Sequence, residues 1–171
     1  EKEFGPNHPE LANTLNWIGD IHYGHKIYDK ARFFYLRALD IRKESFGLEH
    51  PDTVTTLQSL AHLYISQDLF DKGLPALFEV SKLQEKVLGL EHPDTKFTLL
   101  ILGVLYMDKG FFKEAEPIYR SLVSINEKRL GSDHPNTTRY MVKLANVYSR
   151  LGFFDKAESL LQRVLKTIEN K

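Results

Sequence analysis

The sequence predicts an all-α chain assembled as a stacked array of four helical hairpins. One observation is a recurring phrase. Gly47-Leu48-Glu49-His50-Pro51-Asp52-Thr53 returns as Gly89-Leu90-Glu91-His92-Pro93-Asp94-Thr95, more loosely as Gly131-Ser132-Asp133-His134-Pro135-Asn136-Thr137, and more loosely still as Gly5-Pro6-Asn7-His8-Pro9-Glu10. The opening glycines at 5, 47, 89 and 131 lie 42 residues apart, and an ungapped period of this length marks a repeat array. A second observation is the helical spacing of apolar residues after each phrase, as in Leu11, Leu15, Ile18 and Ile21. A third is the return of small residues at fixed places, where two helices must cross closely. The expected units are 5–46, 47–88, 89–130 and 131–171 of one array. Residues 1–4 resemble the segment before Gly131 and read as the tail of a preceding repeat.

Each unit reads as two helices. Pro9, Pro51, Pro93 and Pro135 suit a first helical turn, where the missing N–H has no intrahelical partner to lose. Glu10, Asp52, Asp94 and Asn136 follow, and an acid there meets the positive end of the helix dipole. The first helix should end near Tyr23-Gly24, with Gly110 and Gly152 as left-handed caps in the later units and Lys26 and Asp68 standing less favourably in their place. The second helix is expected from around Asp29, Asp71, Lys113 and Asp155, running about eighteen residues to Gly47, Gly89 or Gly131. Pro75 and Pro117 fall early in it, which predicts that they occupy its first turn. Gly19, Ala61, Gly103 and Ala145 on the first helix, and Ala31, Gly73, Ala115 and Ala157 on the second, are the notches for close packing.

Composition narrows the function. Lys plus Arg equals Asp plus Glu at 23 each in 171 residues, so no basic excess draws the chain to nucleic acid or an anionic membrane. Cysteine is absent, which removes disulfides and Cys-based metal or redox sites and fits a reducing compartment; the expected location is cytoplasmic. The most apolar run, Phe97 to Met107, is far shorter than the roughly eighteen residues of a membrane span and reads as a buried helix.

The segments Leu57-Gln58-Ser59-Leu60-Ala61-His62-Leu63-Tyr64, Phe153-Phe154-Asp155-Lys156-Ala157-Glu158 and Ile27-Tyr28-Asp29-Lys30-Ala31 resemble the tetratricopeptide repeat. The 42-residue unit with its Gly-x-x-His-Pro opening is similar to the longer version found in kinesin light chains. That resemblance implies a right-handed superhelical solenoid whose inner wall is made by the first helix of each unit, with a peptide or partner helix lying in the groove. Carried over, the groove positions are Asn13, Asn16, Asp20 and Tyr23 in unit one and Thr55, Gln58, His62 and Ile65 in unit two. Unit three gives Phe97, Leu100, Val104 and Met107, and unit four gives Arg139, Val142, Asn146 and Arg150. In the kinesin-light-chain type an asparagine in a Leu-Asn-Asn-Leu-Ala segment holds the bound peptide backbone. Here Leu15-Asn16-Trp17-Ile18-Gly19 keeps it, Gln58 is a partial substitute, and Leu100 and Val142 depart from the pattern.

The repeated His8, His50, His92 and His134 are expected to be structural. Equivalent residues of stacked units lie about 10 Å apart, whereas Zn–N bonds are about 2 Å. The pairs Phe33-Phe34, Phe111-Phe112 and Phe153-Phe154 are expected to pack in the core. No phosphate loop, zinc-protease helix or nucleophile motif occurs, so neither enzymatic activity nor a cofactor nor a metal is expected. The function predicted is protein–protein interaction. The apolar stripe of unit three would take hydrophobic anchors, Asn16 and Asn146 would bond the peptide backbone, and Arg139 and Arg150 would read acidic residues. The alternatives are a structural spacer, a self-associating module, or a regulatory segment of a larger signalling protein.

Overall fold

The computed structural model describes residues 8–169, so the opening Gly5 phrase and the tail assigned to residues 1–4 lie outside the described residues. Eight helices and no strand are found among them: α1 (Pro9–Gly24), α2 (Tyr28–Phe46), α3 (Pro51–Ser66), α4 (Phe70–Leu88), α5 (Pro93–Asp108), α6 (Phe112–Leu130), α7 (Pro135–Arg150) and α8 (Phe154–Glu169). They form two compact units that divide between Gly89 and Leu90. In the first, α1 pairs with α2, α3 with α4, and α2 packs on α3; in the second, α5 pairs with α6, α7 with α8, and α6 packs on α7.

The repeated phrase is a helix-starting device. Each proline is the first residue of its helix, and the histidine before it caps that helix. His8, His50, His92 and His134 accept at Nδ1 from the amide of the residue two places on, at 3.1–3.3 Å. An imidazole nitrogen thus does what a cap serine or aspartate usually does for the unpaired amides of the first turn. This is the structural role expected for these histidines.

The turn between paired helices is the same in every unit. Its second residue is left-handed: Lys26 at φ 59°, Asp68 at 58°, Gly110 at 79° and Gly152 at 80°. The next amide reaches back to the helix, from Ile27 to the His22 carbonyl at 2.9 Å and from Phe111 to that of Tyr106 at 2.8 Å. These bonds satisfy carbonyls the helix end leaves open. Only glycine takes that conformation without cost, so two of the four turns carry strain.

Two expectations about the second helices are corrected. Pro75 and Pro117 stand at the sixth residue of α4 and α6, inside the helix and beyond its first turn. The left-handed turn fixes where these helices begin. Asp71 and Lys113, whose carbonyls lose an N–H partner, are exposed like the prolines themselves, and water can serve them. The phenylalanine pairs are only in part core residues: Phe33, Phe111, Phe153 and Phe154 are exposed, Phe112 is half-buried, and Phe34 packs against the core cluster of Ala12, Leu15, Ala38 and Ile41. Nor do they share one phase, since Ile27-Tyr28 and Leu69-Phe70 are in register with Phe111-Phe112. Phe111 and Phe153 instead clasp the turn, edge-on to Tyr106 and Tyr148 at 6.2 Å.

The small residues set the helix crossings. A Cβ on Gly19 would lie 2.5 Å from the ring of Tyr35, and one on Gly103 3.2 Å from Tyr119. Where the notch is alanine, at Ala61 and Ala145, the residue in the tyrosine's place is Leu77 or Leu161. Glycine thus goes with tyrosine and alanine with leucine, as constant volume at a close-packed crossing requires. The two tyrosines that face these glycines differ in their hydroxyls. Tyr35 donates to Asp20 at 2.7 Å. In the other unit Val104 holds the position of Asp20, and the hydroxyl of Tyr119 is buried without a partner.

Two stability predictions follow from these contacts. Lys26→Gly should raise stability by about 0.5–1 kcal/mol in urea unfolding by removing left-handed strain, while Gly110→Ala should lower it by a similar amount. Tyr35→Phe should cost about 1–2 kcal/mol, the worth of a hydrogen bond to a charged group. Tyr119→Phe should be neutral or stabilising, because it removes only an unsatisfied hydroxyl. Equal losses for the two tyrosines would contradict this reading.

Candidate functional site

In the first unit the expected groove residues are largely committed to one another. Asp20 accepts from Tyr35 and from the Asn16 amide at 3.3 Å. Tyr23 bonds Ser66 at 2.7 Å, tying α1 to α3. The Gln84 amide donates to Gln58 at 3.2 Å. Asn13 accepts at 2.7 Å from Arg42, which also donates to the Asp52 carbonyl at 2.7 Å and to Thr56. Arg42 is itself buried and holds α1 and α3 from the helix between them. Burial lowers its guanidinium pKa, and Asp52 opposes that shift. Sequence reasoning gave Arg42 no role. The signal available was its place in the period, where the other units carry Gln84, Asn126 and Ile168.

His62 is the exception in this unit. It holds the position of Asp20, but its hairpin carries Leu77 where Tyr35 would stand. Its Nε2 is buried without a hydrogen-bond partner, and desolvation pushes its pKa down. The half-buried ring therefore tends to stay neutral.

In the second unit the apolar stripe on α5 is partly open. Phe97 is 56% exposed and Val104 is exposed, while Leu100 and Met107 are half-buried. Phe97 and Leu100 form one wall of a hollow of about 400 Å³ that continues across α6 and α7 to Leu130 and Tyr140. Lys96 and Arg129 also line it. The hollow is thus lined by apolar Phe97, Leu100 and Leu130 together with two cations and the polar Asn126, His134 and Asn136, an arrangement that accepts a hydrophobic side chain beside an anionic group. Val104 and Met107 lie outside it, as do Arg139, Asn146 and Arg150. Arg139 and Asn146 are exposed on α7, and Arg150 stands 5.8 Å above the ring of Phe112. Lys96, Arg129 and Tyr140 were missed because the sequence reading followed one stripe of first-helix positions. Tyr140 was detectable as the one aromatic in a position that holds Thr14, Thr56 and Thr98 elsewhere.

Among the described residues no group of three or more His, Asp or Glu side chains converges as a metal site, and no helix is long and apolar enough to cross a membrane.

The sequence matches the tetratricopeptide repeat over residues 95–170 and again over residues 11–52, together more than half of the chain. No curated protein matches it. Among solved structures it is similar to a kinesin-light-chain-like protein from Podosopora anserina with nearly identical TPR-like repeats. The identity is 23%, over 99% of this chain and 80% of that one, with a TM-score of 0.77; a variant of the same protein gives 24%, 97%, 78% and 0.75. It is also similar to BtubC (BKLC) from P. vanneervenii, at 22% identity over 99% of this chain and 68% of that one, with a TM-score of 0.72. Such folds are typically non-enzymatic scaffolds. With four His-Pro-started helices and one turn geometry throughout, the chain belongs to the tetratricopeptide-repeat family and shares the fold of its kinesin-light-chain type.

Proposed function

We propose that the chain is a binding scaffold that docks a peptide segment or partner helix on its first helices, with the hollow of the second unit as the principal anchor. Tetratricopeptide repeats generally mediate protein–protein interaction, and the hollow gives that general role a chemistry here. The observation that carries the reading is Phe97, largely exposed beside Leu100 in a concavity edged by Lys96 and Arg129. An apolar side chain inserted there buries surface that water otherwise covers, worth about 25 cal/mol per Å². The two cations favour Asp or Glu next to that anchor. Arg139 and Asn146 add exposed donors on α7 for a peptide backbone or a further acidic side chain. The polar positions of the first unit make a weaker surface, since a ligand must displace hydrogen bonds already made by Asn13, Asp20, Tyr23 and Gln58. A cytoplasmic setting, where extended segments of other proteins are accessible, belongs to the same reading.

The test is fluorescence anisotropy with short labelled peptides carrying Leu or Trp flanked by Asp or Glu, beside charge-reversed versions with Lys. Leu100→Asp should weaken the acidic peptides at least tenfold, about 1.4 kcal/mol. Lys96→Glu with Arg129→Glu should abolish the preference for acidic over basic flanks and flatten the salt dependence. Val104→Asp places a carboxylate where Asp20 stands in the first unit, within the neighbourhood of the unpaired Tyr119 hydroxyl, so this variant should retain full stability. Affinity unchanged by both Leu100→Asp and the charge reversals would refute the hollow as anchor.

A further inference from the structure

The hollow of the second unit has a counterpart two periods earlier, and there the space is filled. Arg42 crosses it, donating to Asn13 and to the Asp52 carbonyl at 2.7 Å each, and to Thr56. Its equivalent is Asn126, which is too short to cross and turns back to the Leu122 carbonyl of its own helix at 2.8 Å. Asn13, which holds the arginine, recurs as Phe97. The space that an arginine fills in one unit is therefore open in the other. Its charge has changed as well. Ala12 and Ser45 recur as Lys96 and Arg129, and no Asp or Glu is among the residues that line the hollow. A cation seated by oxygen atoms in the first unit gives way to cations around an open seat in the second, which calls for an anion.

His134 belongs to that lining, and its other task decides how it can act there. Its Nδ1 accepts the Asn136 amide at 3.1 Å to cap α7. A ring nitrogen that accepts carries no proton, so the single N–H of the neutral imidazole sits on Nε2. The cap thereby makes the ring a fixed donor at the one nitrogen left for the hollow. His50, its equivalent in the first unit, has the same cap in different company. Its ring is stacked on Phe46 at 4.4 Å, and an Asp52 carboxylate oxygen stands 3.9 Å from its Nδ1. In the second unit Leu130 replaces Phe46 and Asn136 replaces Asp52. Neither a stacked ring nor a carboxylate at those positions then claims the imidazole of His134.

We propose that His134 is a specificity-determining residue of the hollow. Its Nε2–H donates to a carboxylate oxygen of the partner's acidic side chain, which Lys96 and Arg129 hold by charge, while Phe97 and Leu100 take the adjoining apolar residue. The partner's side chain occupies the place that Arg42 occupies in the first unit. This rests on the hollow as the anchor and adds to it a neutral, directional donor. Lys96 and Arg129 attract an anion from a distance, and attraction between exposed charges weakens with salt. A hydrogen bond from a fixed tautomer instead demands an acceptor at one point, and a neutral donor is screened far less.

The experiment measures binding of the acidic Leu and Trp peptides by fluorescence anisotropy at pH 8 over a range of salt, for the wild type, His134→Ser and His92→Ser. Serine is a strong helix cap, so both variants should melt as the wild type does; His134→Asn, another strong cap, replaces His134→Ser if that one does not. His134→Ser should weaken the acidic peptides about tenfold, as loss of a hydrogen bond to a charged group does, with the slope of affinity against salt unchanged. His92 caps α5 without lining the hollow, so His92→Ser should bind like the wild type. Long-range proton–nitrogen correlation spectra of the free chain should show His134 protonated at Nε2 alone. Protonation at Nδ1 overturns the proposal, and so do equal losses in the two serine variants. Wild-type affinity in His134→Ser while Leu100→Asp still weakens binding also overturns it, and leaves the hollow standing as the anchor. Affinity that Leu100→Asp and the charge reversals leave unmoved removes the hollow, and His134's role with it.

Discussion

The hairpins depend on how closely two helices can approach at a single residue of the first. Where that residue is Gly19 or Gly103, the facing helix can lay a whole tyrosine ring against bare backbone. Where it is Ala61, the ring gives way to Leu77. The exchange settles more than packing, because a tyrosine carries a hydroxyl through the core to the far side of the first helix. In the first hairpin that hydroxyl meets Asp20, and Asp20 in turn holds Asn16. A notch in the core therefore sets the orientation of polar side chains on the wall.

The same reasoning explains why equivalent wall positions behave so differently. Asp20, His62, Val104 and Asn146 stand at one place in the period, and each can be judged by the core residue beneath it. Asp20 has a tyrosine to accept from. His62 has only Leu77, and its buried nitrogen goes unpaired. Val104 lies over a tyrosine it cannot serve, so the Tyr119 hydroxyl is orphaned and its pKa is pushed up to about 12, chiefly by desolvation. A native core tolerates few such unsatisfied groups, each costing about 1–3 kcal/mol. Keeping one beneath Val104 accompanies an apolar outer surface on α5, the helix that supplies Phe97 and Leu100 to the hollow.

Most of the fold was legible in the sequence because the devices that make it are local. A His-Pro start and a left-handed turn residue act within four residues of themselves, and both repeat with the period. The assignment of Lys26 and Asp68 to glycine's place in the turn needed only alignment of one unit on the next, and the structure bears it out. Pro75 misled because tolerance of proline inside a helix depends on whether the orphaned carbonyl of Asp71 reaches water, a property of the folded surface. The phenylalanine pairs misled in part for a related reason: they look like one recurring feature, whereas phase separates Phe33 from Phe111. The candidate site was legible only in its first-helix stripe. Arg129, Leu130 and Tyr140 reach the hollow from α6 and α7, and a stripe along one helix contains no information about what the next two bring to it.

Arg42 shows how the repeat separates holding from binding. Its guanidinium joins Asn13 to Thr56 and to the Asp52 carbonyl, which fastens α1 and α3 to α2 with the same polar atoms a ligand would otherwise find. Burying an arginine is costly unless its donors are used, so this position and the Asn13 side chain are bound together; neither is free to serve a partner without a loss of stability. At the equivalent place on α6 stands Asn126, whose amide turns back to the Leu122 carbonyl of its own helix at 2.8 Å. Nothing there reaches out to claim the position of Asn13, which in that unit is Phe97. With no polar fastening to make, the residue at 97 can be apolar and largely exposed without weakening the hairpin. The surface proposed to recruit a partner thus lies where the repeat has ceased to use its own side chains as fastenings.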